Sequence, residues 1–227
     1  MRTLTHVLSL SALFAISSTA VFAQTTPSVN KASLSYSSNR GVSADMTFNR
    51  NSSTYNIHTI FKIPLYSMQF VSNGSMRGNQ MIPQSYSDTR RGKIYAKATF
   101  NHNNKTITYG KAGQSDTTEM RGIPMDLFSL AWQLSLNDGK LSGVSQFTNG
   151  KKVYNETTNI RANGSQTVTF KNQPLKVNMY RATRAGDVME YGLAPSMGNV
   201  PAVIRYTDNG TTYQLNLSAA TIDGKKY

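Results

Sequence analysis

Lys93-Ile94-Tyr95-Ala96-Lys97-Ala98-Thr99-Phe100, then Asn101-His102-Asn103-Asn104, then Lys105-Thr106-Ile107-Thr108-Tyr109, is the passage that decides the fold class. Each flanking run alternates apolar and polar residues, which is the pattern of a strand with one buried face, because successive side chains point to opposite sides. The four residues between them are turn formers, so the two runs read as an antiparallel hairpin. Working outward, the same period of two recurs in Ala32 to Tyr36, Val42 to Phe48 and Tyr55 to Phe61, with Asn, Gly and Ser clusters between. Toward the C-terminus it recurs in Gln166 to Phe170, Leu175 to Thr183, Val188 to Leu193, Ala202 to Tyr206 and Thr211 to Leu217. Asp208-Asn209-Gly210 is a tight turn joining the last two.

Met125 to Leu136 breaks this rhythm. Leu127, Leu130, Ala131 and Leu134 fall at helical spacing, and Phe128 and Trp132 add a second apolar flank. Pro124 precedes the first turn, Asn137-Asp138-Gly139 stops the helix, and Asp126 is expected in the first turn, where it favours the dipole. Many short strands and one helix predict a mainly β domain. The expected architecture is a single antiparallel curved sheet or an open, spiral β-barrel wrapping one short α-helix at about residues 125–136.

The N-terminus is an address. Arg2 supplies a positive start, Val7 to Ile16 an apolar stretch, and Val21-Phe22-Ala23 before Gln24 a cleavage site, so residues 1–23 read as a secretory signal peptide. The apolar run is too short for the roughly 20 residues that span a bilayer. Residues 24–31 read as a poorly ordered lead-in and 32–227 as one domain, the default at this length. The expected location is the periplasm, after cleavage behind Ala23.

Lys and Arg number 24 against 11 carboxylates, a net charge of +13, and there is no Cys. Without disulfides the fold must rest on an ordinary core. The excess charge is spread through Arg90-Arg91, Lys151-Lys152 and Lys225-Lys226 rather than concentrated, and it suits anionic partners. In an exported protein these are lipid, lipopolysaccharide or peptidoglycan, with membrane-surface contact, and no nucleic acid.

Signatures of catalysis are scarce. Only His58 and His102 follow the leader, which excludes a three-His metal site, and a thiol nucleophile is impossible. No Gly-x-Ser-x-Gly elbow or phosphate-cradling loop occurs. Ser28-Val29-Asn30-Lys31 has Ser-x-x-Lys spacing but lies in the lead-in. Asp116, Glu119, Asp126, Glu156 and Glu190 could supply a carboxylate pair if the fold brought two together. No catalytic residue, metal ligand or cofactor is assigned. Tyr36, Tyr55, Phe61, Tyr66, Phe70 and several Met line inward positions that either fill the interior or border an apolar cavity, and Leu65 to Val71 is more apolar than a half-exposed strand needs. The candidate ligand-binding set is Arg90, Arg91, Lys93, Tyr66, Phe70, Trp132 and Arg205.

Glu190-Tyr191-Gly192-Leu193-Ala194-Pro195 followed by Gly198 to Tyr206 resembles the "W-L-A-P … L-P-V-R-I" closing motif of a Gram-negative exported family called domain of unknown function 3108. Tyr36 to Ala44, Tyr86 to Phe100 and Met125 to Leu134 resemble its earlier blocks in order. Four positions depart from the pattern: Gly192 stands where an aromatic is usual, Asn101-His102 where Asp-Trp is common, and Ala202 where Val is. The resemblance implies an exported, curved or barrel-like β domain and no particular reaction. The expected function is a non-enzymatic envelope protein that holds a hydrophobic or anionic, lipid-like ligand in a concave β interior. A glycan or peptidoglycan module and a carboxylate-dependent hydrolase are the alternatives.

Overall fold

The computed structural model describes residues 28–227 except 39–40, 64–65, 142–143, 156–158, 185–186 and 209–210. The expected leader, residues 24–27 of the lead-in, Leu65, Glu156 and the Asn209-Gly210 part of the tight turn lie outside the described residues. Alternation along the first half produces an unbroken antiparallel meander: β1 (Lys31–Ser37), β2 (Ser43–Arg50), β3 (Thr54–Ile63), β4 (Tyr66–Arg77), β5 (Gln80–Arg90), β6 (Lys93–Asn101), β7 (Thr106–Lys111) and β8 (Asp116–Glu119). The Lys93–Tyr109 hairpin is β6–β7, closed in register by Asn101 opposite Thr106.

An insert follows, consisting of β9 (Ile123–Asp126), α1 (Leu127–Leu136), β10 (Val144–Thr148) and β11 (Val153–Tyr154), with β9 and β10 parallel in a small three-stranded sheet. The chain then resumes its meander as β12 (Asn159–Phe170), β13 (Gln173–Arg184), β14 (Asp187–Ala194), a 3-10 turn at Pro195–Met197, β15 (Val200–Asp208), β16 (Thr211–Ile222) and β17 (Lys225–Lys226). β16 pairs with β1, and this joins both meanders into one curved antiparallel sheet of 14 strands that does not close into a barrel. Its edges are β12 and β8.

The sheet bends around α1. Every residue from Phe128 to Leu136 is buried, so the helix has no solvent face and each polar side chain on it needs a partner. Trp132 lies flat on Phe48, with ring centroids 3.9 Å apart and planes 10° from parallel, and its Nε1–H points at Met46 Sδ at 3.3 Å. Gln133 receives Met81 N–H at 2.7 Å and the Gln80 amide at 2.8 Å and donates to Asn79 O at 2.9 Å, so it grips the β4–β5 turn. Gly139, at φ +79°, ends the helix against the Tyr180 ring.

Two expectations need correction. The lead-in was expected to stay loose through residue 31, yet Val29 is buried, Arg50 Nε donates to Val29 O at 2.8 Å, and the Asp223 carboxylate accepts Asn30 N–H at 3.1 Å and Lys31 N–H at 2.8 Å. The closing turn of the chain thus fastens residues 29–31. Asp126 is not within the first helical turn but caps it, accepting the Phe128 and Ser129 N–H groups at 2.9 and 3.0 Å. A short carboxylate reaches those donors only from the position before the helix. Pro201 sits inside β15 beside a bulge that leaves Ala202 without an opposite residue, a place where the missing N–H leaves the ladder intact.

Candidate functional site

The sheet encloses side chains over most of its concave face and leaves apolar space at one end, where α1 begins. Leu127, the first helical residue, forms the floor. Val42, Phe61, Ile63 and Met68 supply one wall from the β2–β4 side, and Ile204, Tyr206, Tyr213 and Leu215 supply the other from β15 and β16. The cleft has a volume of about 380 Å³, and Tyr213 at its rim is 51% exposed, one of two large hydrophobic side chains that stand open to solvent among the described residues. That volume lies at the lower end for small-molecule sites and corresponds to roughly a dozen waters.

The walls meet because β1 lies between β2 and β16. Residues about 140 positions apart in sequence, such as Phe61 and Ile204, thereby come to face each other across one sheet. Behind the first wall Phe61 and Phe70 meet edge to face at 5.5 Å, and both approach Phe128 of the helix, at 6.4 and 5.3 Å. Such contacts order the rings and leave the cleft preformed.

Charge enters from the β5–β6 hairpin. Arg90 pairs with Lys93 in register and Arg91-Gly92 lie between them at φ +49° and +75°, a two-residue turn whose left-handed dihedrals match the right-handed twist of the flanking strands. Arg90 stands opposite Met68 of the cleft wall. Its guanidinium forks onto buried Asp88, Nε to Oδ1 at 3.1 Å and Nη2 to Oδ2 at 2.9 Å, and lies 3.6 Å from the Tyr95 ring centroid. Arg90 is therefore neutralised where it sits. Lys62 is likewise paired with Asp45 at 2.7 Å, and these contacts hold the Asp45 carboxyl below its usual range. Arg91, 5.2 Å over the Tyr66 ring, and exposed Lys93 carry the rim's remaining positive charge.

Five of the seven candidate residues, Tyr66, Phe70, Arg90, Arg91 and Lys93, thus gather at this end of the sheet. Trp132 and Arg205 do not. Trp132 is fully buried on Phe48, out of reach of any ligand in the cleft. Arg205 points away from the cleft because its neighbours Ile204 and Tyr206 point into it, and it pairs with Glu190 on the outer face. The cleft residues outside that set include Val42 and Ile63, Leu127, whose signal was helical spacing, and Ile204, Tyr206, Tyr213 and Leu215, whose only signal was apolar alternation in two late strands, which every strand here shares.

Among the described residues the candidate acids do not converge. Asp116 and Glu119 lie exposed on the edge strand β8, Glu190 on the outer face, and Asp126 under the helix. Asp126 is fully buried; loss of solvation raises its pKa, against hydrogen bonds from Ser72 Oγ at 2.6 Å, Ser129 Oγ at 2.8 Å and two backbone N–H groups. Tyr55 hydrogen-bonds with Ser72 at 3.3 Å, and burial likewise pushes its phenol well up. This group holds the helix start together. Ser28 accepts from Arg50, with no Lys31 contact, and His102 donates to Pro83 O at 2.6 Å. Among the described residues no three His, Asp or Glu gather as a metal site, and no helix is long and apolar enough to cross a membrane. No protein family, curated protein or solved structure matches the chain.

Proposed function

We propose that this is an exported, non-enzymatic envelope protein that seats the hydrocarbon part of an anionic amphiphile in the cleft above Leu127, with Arg91 and Lys93 meeting its head group. The observation that carries the reading is the cleft itself: nearly wholly apolar, preformed by aromatic contacts, and one strand away from the cationic hairpin turn. Each buried methylene contributes about 0.8 kcal/mol, so a short acyl segment suffices for binding without any special contact. The periplasmic location and membership of the domain of unknown function 3108 family belong to the same proposal, resting on the leader and the closing motif.

The test is binding of a fluorescent fatty acid to the mature protein, with native mass spectrometry of material recovered from the cell envelope. Met68→Trp combined with Ile204→Trp fills the cleft and is expected to weaken binding by about tenfold or more, while Arg91→Ser with Lys93→Ser weakens an anionic probe but not its neutral alcohol. Unchanged binding in the filled variant refutes the reading. Retention on purified sacculi together with indifference to the fatty acid transfers the role to glycan binding.

A further inference from the structure

The outer face of the C-terminal strands carries a second feature, independent of the cleft. Register places Arg161 of β12 opposite Arg181 of β13, Arg181 opposite Glu190 of β14, Glu190 opposite Arg205 of β15, and Arg205 opposite Gln214 of β16. Residues directly opposite share a face, so three guanidinium groups and one carboxylate stand in a single row across five strands. The row is on the side of these strands opposite Ile204 and Leu215, which face the cleft, and it is itself partly covered, with Glu190 buried.

One end of the row is satisfied. Glu190 accepts from Arg205 Nη1 and from the Asn163 amide at 3.0 Å, Arg205 Nε donates to Gln214 at 2.9 Å, and Gln214 passes a bond to Asn216 at 2.8 Å. The other end is not. Arg181 Nε is buried with no hydrogen-bond partner, and Arg161 beside it is exposed on the sheet's edge strand. Among the described residues no carboxylate is paired with either. Like charges directly opposite one another destabilise a strand pair, and a buried charged donor without an acceptor adds to that cost. A guanidinium fork fits an oxyanion through two parallel N–H donors, and two forks side by side offer four.

We propose that Arg161 and Arg181 form an oxyanion site on the outer face, taking a phosphate or carboxylate group that bridges them. Arg181 supplies the inner, preorganised fork, held beside Glu190. Arg161 supplies the outer fork at the open edge, through which the anion enters. Glu190, already engaged by Arg205 and Asn163, keeps the row from collapsing onto a single pair.

The test is calorimetric titration of the full mature chain with inorganic phosphate at low ionic strength, and separately with glucuronate. Saturable binding of one equivalent is expected, weakened about tenfold or more by Arg181→Gln and by Arg161→Gln, and unaltered by Lys105→Gln in the exposed β6–β7 turn. Without added anion both variants should melt at or above the parent temperature, because a like-charge opposition is relieved, and phosphate should raise the melting temperature of the parent alone. Binding of both probes in competition assigns the site to the oxyanion in general; phosphate alone assigns it to a phosphoryl group, and glucuronate alone to an acidic saccharide. Binding that does not saturate, equal affinity in the variants, or variants that melt lower with unchanged binding overturns the proposal. The cleft-filling variant leaves this titration unaffected, so failure here and failure of the lipid reading are separate results.

Discussion

Asp126 is where the helix, the sheet and solution pH are coupled. Replacing it with Ala strands two helical N–H groups, Phe128 and Ser129, and takes one hydrogen bond from each of the buried hydroxyls of Ser72 and Ser129, which keep the Tyr55 hydroxyl and the backbone of residue 126 as partners. Losing an N-cap costs about 1 kcal/mol, and each buried hydrogen bond lost by a hydroxyl about 1 kcal/mol more, which gives roughly 3 kcal/mol in all. For a domain of this size that corresponds to a fall of roughly 6–12 °C in melting temperature. Asp126→Asn behaves differently: its carbonyl still caps the helix, and the serine hydroxyls can turn to accept from its amide. The sign of the pH effect follows from desolvation, which raises the folded-state pKa above the ordinary value of 3.8. The folded protein holds this proton more tightly than the unfolded chain, so the stabilisation is complete below the unfolded value and is lost as pH rises through the folded one. Urea unfolding of parent, Asn and Ala variants between pH 4 and 8 reads both effects. The parent should lose ground to Asp126→Asn as pH rises, while Asp126→Ala stays well below both. An Asn variant as unstable as the Ala variant at pH 7, with its deficit growing as pH rises, refutes the reasoning, because it would mean the ionised carboxylate is what the folded state prefers.

Other consequences can be checked with the same unfolding assay. At Gly192 an added Cβ would stand 2.9 Å from Val203 Cβ and 3.0 Å from Met179 Sδ, so Gly192→Ala should cost about 1–3 kcal/mol through overpacking despite the better strand propensity of Ala; equal or greater stability would contradict it. Gln133→Leu removes the acceptor of the buried Met81 N–H and should cost about 2–4 kcal/mol, with faster amide exchange at Met81 as its local signature; a neutral effect would show that the β4–β5 turn does not depend on the helix. Trp132→Ala should cost about 3–5 kcal/mol yet leave the shape of the cleft unchanged, so fatty-acid binding to the folded fraction should persist; its loss would place the ligand in the interior.

What could be read along the chain is whatever depends on near neighbours. Period-two alternation located the strands, Asn101 to Asn104 located a hairpin, and Asn137-Asp138-Gly139 located the end of the helix, because strand faces, turns and caps are set by dihedral preferences over a few residues. The Arg91-Gly92 turn was equally local and went unread as a two-residue hairpin loop, although its positive φ angles are what project the cationic tip. The neighbourhood of the cleft was legible for the same reason, although none of the candidate residues lines it. Tyr66, Phe70, Arg90, Arg91 and Lys93 lie within one stretch of two hairpins, so local pairing is enough to gather them.

The remaining features required long-range pairing. Alternation shows that Ile204 and Arg205 face opposite ways but not which of them faces inward. That choice depends on where β15 lands, on the bulge at Ala202, and on the pairing of β16 with β1 that brings Ile204 across from Phe61. Trp132 looked as available as Tyr66 until a sheet bent round the helix and covered it with Phe48. By itself the sequence determined a basic, cysteine-free, mainly β chain with one helix and a leader-like start, since composition, period and turn chemistry are properties of short segments. Only the tertiary structure decided which apolar residues are core and which are cleft, and that two arginines stand face to face. Those facts arise when strands distant in the chain share a sheet, and burial is a property of the closed surface rather than of any residue along it.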